Sequence, residues 1–161
     1  MGQLPYERMF LCVPAAAAIE RAVALTTAHA KQRQAFGQSL ADFQNTRFKL
    51  AECQALLLAS NALVDAAMVS HLQGQLGVDR AALIKYWITD NQCKLVDECL
   101  QLFGGWGFMW EYPIARAYAD ARMTRIGGGA TQMTRALEAA SWSSSRHRPT
   151  CQSCCGESQC R

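Results

Sequence analysis

Several positions along the chain carry groups that could do chemistry. Glu7 is a carboxylate ahead of a long apolar-periodic stretch. A carboxylate acts as a general base when it lies within reach of the proton it removes. An acid in a helix's first turn is also favoured by the helix dipole, whatever its function. Arg33 and Phe36 sit in Lys31-Gln32-Arg33-Gln34-Ala35-Phe36-Gly37. Read by themselves they are a solvated surface arginine and an aromatic ring that closes a loop onto the core. Gly104-Gly105 suits a helix C-cap, and equally lets the backbone come close to a ligand. Gly127-Gly128-Gly129 forms a loop ahead of Thr131, which caps a last helix, and backbone amides at a helix N-terminus suit a phosphate. Cys151-Gln152-Ser153-Cys154-Cys155, with His147 and Cys160, offers a C-x-x-C spacing but no second, separated knuckle. No metal site is assigned on that basis.

The elements that must position these groups read as long helices with short loops. A first helix begins near Pro5 and continues through Ile19, Val23 and Leu25 toward Lys31, with Pro14 expected to kink it. Ala35 to Ser39 breaks the pattern as a loop. A second helix runs from about Ala41 to Leu72, with Phe43, Leu50, Leu57, Val64 and Met68 near a 3.6-residue period. Asp79 is the expected N-cap of a third helix carrying Leu83, Trp87, Leu95 and Leu102, closed by Gly104-Gly105. Pro113 opens a shorter helix through Ala121, and the last reaches Ser141. The fold class is all-α: an antiparallel four-helix-type bundle with an additional short C-terminal helix. It occupies residues 1–142, followed by a disordered Ser/Cys-rich tail over 143–161.

Composition narrows the classes. The 161 residues allow one domain with a real core; half are hydrophobic and 18% are charged, which suits a folded protein. A net charge of +3 without a run of like charges argues against nucleic acid. The longest unbroken apolar run, Met9 to Ile19, is too short to cross a bilayer, and no basic region precedes it as a secretory signal would need. Of the eight cysteines, Cys12, Cys53, Cys93 and Cys99 fall singly in apolar helical patterns, where a free thiol packs as a small hydrophobe. That usage points to a reducing compartment.

The string around Arg33 is followed by Leu40-Ala41-Asp42-Phe43-Gln44, Gln101-Leu102-Phe103-Gly104-Gly105-Trp106-Gly107-Phe108, Glu111-Tyr112-Pro113-Ile114-Ala115-Arg116 and Asp120-Ala121-Arg122. Together, in this order and spacing, they resemble the C-terminal domain of the acyl-CoA dehydrogenase family from about Leu4 to Ala140. The resemblance implies an FAD enzyme that desaturates an acyl-CoA thioester between its α and β carbons. A carboxylate removes the α proton while the flavin accepts hydride. In many members that carboxylate is a glutamate at the position of Gly128. In the long-chain and isovaleryl branch it lies on the first helix of this domain, and the long-chain pattern leucine-proline-any-glutamate-arginine matches Leu4-Pro5-Tyr6-Glu7-Arg8. The resemblance therefore makes Glu7 the base, puts Arg8 beside the substrate, and gives the Gly128 N–H to the thioester oxygen. It also implies that Arg33, Phe36 and Gln44 meet the FAD of a neighbouring subunit, the guanidinium fork suiting diphosphate oxygens. Gln101, Gly104 and Gly105 match another FAD-contacting stretch, and Thr131 and Gln132 lie near its diphosphate and ribitol.

The chain departs from the family at Gly127 and Ala130. Ala130 removes a threonine hydroxyl that would bond the cofactor, and three successive glycines are expected to loosen the loop. Complete members have further domains ahead of this bundle. With Met1 only a few residues before Glu7, a fragment or a truncated product is expected. By family analogy the partners are acyl-CoA, an electron-transfer flavoprotein and further copies in a dimer or tetramer. The compartment is the bacterial cytoplasm or the mitochondrial matrix. The alternative is a non-catalytic helical oligomerisation or interaction fragment with an exposed apolar face.

Overall fold

The computed structural model describes residues 4–136 and 139. Its elements are α1 (Leu4–Gln32), β1 (Gln34–Ala35), β2 (Gln38–Ser39), α2 (Gln44–Leu72), α3 (Val78–Phe103) and α4 (Pro113–Thr124), with short 3₁₀ turns at Leu40–Asp42 and Gly104–Phe108. Residues 131–136 begin a last helix. The expected end of that helix at Ser141, and the Cys-rich tail with its C-x-x-C spacing, lie outside the described residues.

α1 is the spine. Its first half packs Met9, Cys12, Ala15 and Ala16 against Val64 and Ala67 of α2 and Ile84 and Ile88 of α3. Its second half packs Ile19, Ala22 and Val23 against Cys53 and Leu57, Leu95, Val96 and Cys99, and Ile114 and Ala121 of α4. The two clusters fix direction. Moving up α1, partners descend α2 and ascend α3, so α2 runs antiparallel to both. α4 returns antiparallel to α3, where Cys93 Sγ donates to Ala121 O at 3.0 Å and Phe103 meets Tyr112 edge-on with ring centroids 6.1 Å apart. All four core cysteines are free thiols.

Local chemistry explains where the boundaries differ from expectation. α1 runs unbroken through Pro14, an exposed residue on its outer side. The segment expected as a loop is a two-residue hairpin, Gln34 facing Ser39 and Ala35 facing Gln38. Its turn residues, Phe36 and Gly37, both have positive φ, +53° and +81°, as a tight hairpin turn requires. Leu40 N donates to Arg33 O at 2.9 Å to close it. α2 begins at Gln44 rather than Ala41 because Ser39 caps the 3₁₀ turn, accepting from Ala41 N at 3.1 Å and donating to Ala30 O at 3.0 Å. The N-cap of α3 is Gly77, not Asp79; Asp79 sits in the first turn, where its charge suits the helix dipole. Ala130, whose carbonyl accepts from Thr134 N at 3.1 Å, stands at the N-cap expected of Thr131.

Tyr6–Gln32 and Gln44–Leu72 are each long and apolar enough to cross a membrane by length and composition. Scattered charges interrupt both, so neither contains a long unbroken apolar run. α1 buries part of its apolar surface as the core spine but leaves Tyr6, Phe10 and Val13 exposed, as α2 leaves Phe48, Leu58, Val69 and Leu72.

Candidate active site

The candidate residues form two groups at opposite ends of α1. At its start, Tyr6, Glu7, Phe10 and Leu11 share an open groove of about 380 Å³ with Gly128. Glu7 is exposed there. Gly128 has φ +64°, and a Cβ built on it would stand 2.6 Å from Leu11 Cδ1. The positive φ favours glycine there, while the Leu11 methyl is the movable end of a flexible side chain. A second apolar trough of about 210 Å³ shares Tyr6 and Phe10 as its wall and is floored by Met68 and His71 of α2.

Arg8 is 3% exposed. Its Nε donates to Gly128 O at 3.5 Å and its Nη1 to Val78 O at 3.1 Å, so it ties α1 to the glycine loop and to the start of α3. Thr131 is buried, its hydroxyl donating to Arg125 O at 3.4 Å, while Gln132 is exposed beside it. The glycines were expected to loosen this loop. Arg8 and Lys85 counter that, because Lys85 Nζ donates to Gly129 O at 2.7 Å and to Arg125 O at 3.4 Å.

At the far end of α1, the guanidinium of Arg33 lies over the Trp106 ring, 4.8 Å from its centroid. Trp106 stacks on Tyr112 at 5.5 Å, and His29 stacks on Phe103 at 4.1 Å. Phe36 stands 97% exposed. Gln44 opens α2 and is exposed, as is Gln101, whose carbonyl accepts from the C-cap residue Gly104. A Cβ on Gly104 or Gly105 would meet nothing within 4 Å, so the backbone there faces open space. An exposed guanidinium, an exposed ring, two amide side chains and bare backbone fit an anionic ligand with aromatic parts.

A recess of about 580 Å³ between α1 and α2 contains none of these residues. Among the described residues no group of three or more His, Cys, Asp or Glu side chains could hold a metal ion.

A family model described as acyl-CoA dehydrogenase, C-terminal domain, matches residues 1–142. The chain belongs to the acyl-CoA dehydrogenase family. It is 40% identical over 137 residues to the mitochondrial long-chain specific acyl-CoA dehydrogenase of Mus musculus, covering 85% of this chain and 32% of that one. It is 35% identical over 114 residues to the short-chain specific enzyme of Megasphaera elsdenii, covering 71% and 30%. Among solved structures, an acyl-CoA dehydrogenase from Geobacillus kaustophilus superposes with a TM-score of 0.85 at 34% identity, covering 88% of this chain and 37% of that one. The butyryl-CoA dehydrogenase of Megasphaera elsdenii gives 0.84 at 31%, with coverage of 88% and 37%. The chain thus spans about a third of the length of the relatives it matches. The all-helical bundle is the fold of this family's C-terminal domain.

Within that acyl-CoA dehydrogenase domain, sequence reasoning missed Lys85, Arg125, Asp90 and His29. Arg125 Nη2 lies 2.6 Å from Asp90 Oδ1, an ionic contact outside hydrogen-bonding geometry, since that oxygen and Arg125 Nε find no hydrogen-bond partner among the described residues. The signal for Lys85 was available: it shares a helical stripe with Ala81, Ile84 and Ile88, all buried, and a lysine in a core stripe is an anomaly. Nothing in the sequence marked Asp90 and Arg125 as partners, because they meet only through the fold.

His29 yields a testable pH effect. Burial, and then the neighbouring Arg33 cation, hold its imidazole below the usual 6.5. The unfolded chain therefore binds the proton more readily than the folded one, and stability must fall as pH drops from about 6.5 through the lowered folded value. Above that window the contribution is complete. Thermal melts between neutral and mildly acid pH should show this loss, and His29→Phe, which keeps the stack and removes the titration, should flatten it. An unchanged pH slope in the variant would refute the assignment.

Proposed function

We propose that this chain is the C-terminal bundle of an FAD-dependent acyl-CoA dehydrogenase, and that Glu7 removes the α proton of an acyl-CoA thioester. One observation carries the reading: Glu7 and Gly128, far apart in sequence, line the same groove. A thioester lying there meets a carboxylate on one wall and a backbone amide on the other. The Gly128 N–H donates to the thioester oxygen and stabilises the negative charge that grows on it as the proton leaves. Glu7 Oε takes that proton, and an exposed carboxylate becomes effective once the substrate displaces its water. Arg8 acts at one remove from the acyl group, by holding Gly128 O. What FAD supplies when bound is the acceptor for the β hydride.

Arg33, Phe36, Gln44, Gln101, Gly104 and Gly105 serve a different cofactor from the one beside Glu7. Along α1, Glu7 and Gln32 are about 37 Å apart at the helical rise per residue, too far for one flavin ring to meet both ends. That separation supports the reading in which the Arg33 end reaches the FAD of a second copy, with the site complete only in a homo-oligomer. Thr131 and Gln132 belong to the cofactor on the Glu7 side, through the first-turn amides and the exposed amide side chain. The exposed apolar residues of α2 supply surface for such an assembly. They also support a second reading, a helical interaction module without catalysis. The electron partner is an electron-transfer flavoprotein. The site of action is the mitochondrial matrix or the bacterial cytoplasm, compartments consistent with the mouse and Megasphaera relatives.

Titrating the purified chain with FAD, followed by flavin absorbance and fluorescence quenching, tests the cofactor half of this reading. Saturable quenching is expected. Arg33→Ala should weaken it about ten- to hundred-fold, the loss of charge-assisted hydrogen bonds. No quenching at any protein concentration would remove the flavin from this chain and leave the interaction module.

A further inference from the structure

Lys85 leads the fully buried side chains in size, and its surroundings on α3 are those of an aliphatic residue. Burying an ammonium is costly unless its protons are taken, and packing alone would be better served by leucine or methionine. What the lysine adds is reach to the glycine loop. Its Nζ holds Gly129 O at 2.7 Å and Arg125 O at 3.4 Å, while Arg8 reaches Gly128 O from α1. Successive carbonyls of the loop are thus drawn inward by cations from different helices. Gly128 and Gly129 can turn that way because their φ values, +64° and +104°, are open to glycine. With the carbonyls turned in, no backbone oxygen among the described residues accepts from Gly128 N or Gly129 N. Gly128 meanwhile lines the groove that holds Glu7.

We propose that Lys85 is a positioning residue for the Gly128 amide, fixing the glycine loop so that its N–H serves the Glu7 groove. The inference rests on the thioester reading of that groove. The groups that face the ammonium are Cys12 and Arg8 on α1 and Arg125 in the loop. Burial, aided by Arg8 and Arg125, holds Lys85 below the ordinary lysine range, while burial pushes the Cys12 thiol up to about 12 against the pull of Lys85.

The test uses the full chain labelled with ¹⁵N-glycine and ¹³Cε-lysine, followed by NMR. In the ligand-free protein, the Gly128 and Gly129 amide resonances should move with the same midpoint as the Lys85 Cε resonance as pH rises. Titration of Lys85 with both amides stationary would overturn the proposal, and this measurement needs no variant to fold. Adding decanoyl-CoA should shift the Gly128 amide downfield. Lys85→Met should lose most of that shift, Lys85→Arg should recover part of it, and Gly104 and Gly105 at the far end should be unmoved in either variant. An equal Gly128 shift in Lys85→Met would also overturn it. If decanoyl-CoA moves no resonance in the unmodified chain, the thioester reading fails, while the pH coupling between Lys85 and the loop is still decided by the first experiment.

Discussion

Glu7→Gln, placed in an FAD-loaded enzyme that carries this bundle, should slow acyl-CoA desaturation by on the order of 10²–10⁴-fold, the usual worth of a general base. Glutamine keeps the size and polarity of the side chain and removes only its ability to take the proton. The groove between Glu7 and Gly128 stays intact, so acyl-CoA affinity and flavin content should be unchanged. An interaction made only on the way to the transition state lowers kcat and kcat/KM together. Glu7→Asp should recover part of the rate, because withdrawing the carboxylate by one methylene misplaces it by about 1 Å, which itself costs roughly 10²-fold. The measurement is stopped-flow loss of oxidised flavin absorbance on mixing with acyl-CoA. A Glu7→Gln enzyme that bleaches its flavin at the unmodified rate would end the assignment. Gly128 has no side chain, so it offers no other carboxylate to take over.

Much of this molecule was legible before its fold was known, and the reasons differ by residue. α3 and α4 announced themselves by apolar period, α1 and α2 more by long apolar, break-poor sequence than by a one-sided stripe. Pro113 and Gly104 marked ends where backbone chemistry leaves few choices. Boundaries that depend on tertiary partners did not. The start of α2 is set by Ser39 bonding back to Ala30, and the start of α3 by Gly77, neither of which a propensity scale sees. The hairpin at Phe36 escaped notice because bulky residues seldom adopt positive φ, so nothing marked Phe36-Gly37 as a turn of that kind. At the candidate site, Glu7 and Gly128 were each singled out only through the family resemblance. Their meeting in one groove, and the separation of the Arg33 end from it, are properties of helix length and packing. Lys85 shows the limit from the other side: its stripe was readable, but its purpose depends on carbonyls that lie about forty residues further along the chain.

The core makes the second large prediction. Leu95 is 1% exposed and packs in the cluster that joins all four long helices. Leu95→Ala should therefore destabilise the chain by about 2–5 kcal/mol, the lost transfer free energy plus the cavity left where neighbours cannot collapse. The upper half of that range is expected because Ile19, Val96 and Ile114, which share its cluster, are fully buried and come from three helices, so no single helix can move to fill the gap. Leu58 on α2 is the contrasting site, 63% exposed. In a monomer, Leu58→Ala should stay within about 0.5 kcal/mol. Urea unfolding at two protein concentrations separates the cases. Leu95→Ala should lower the midpoint equally at both concentrations. A Leu58→Ala effect that appears only at the higher concentration would report a second copy seated on α2, since association adds stability by mass action. A neutral Leu95→Ala would mean that the cluster is not packed as described, and with it the antiparallel register of α2, which rests on the same contacts.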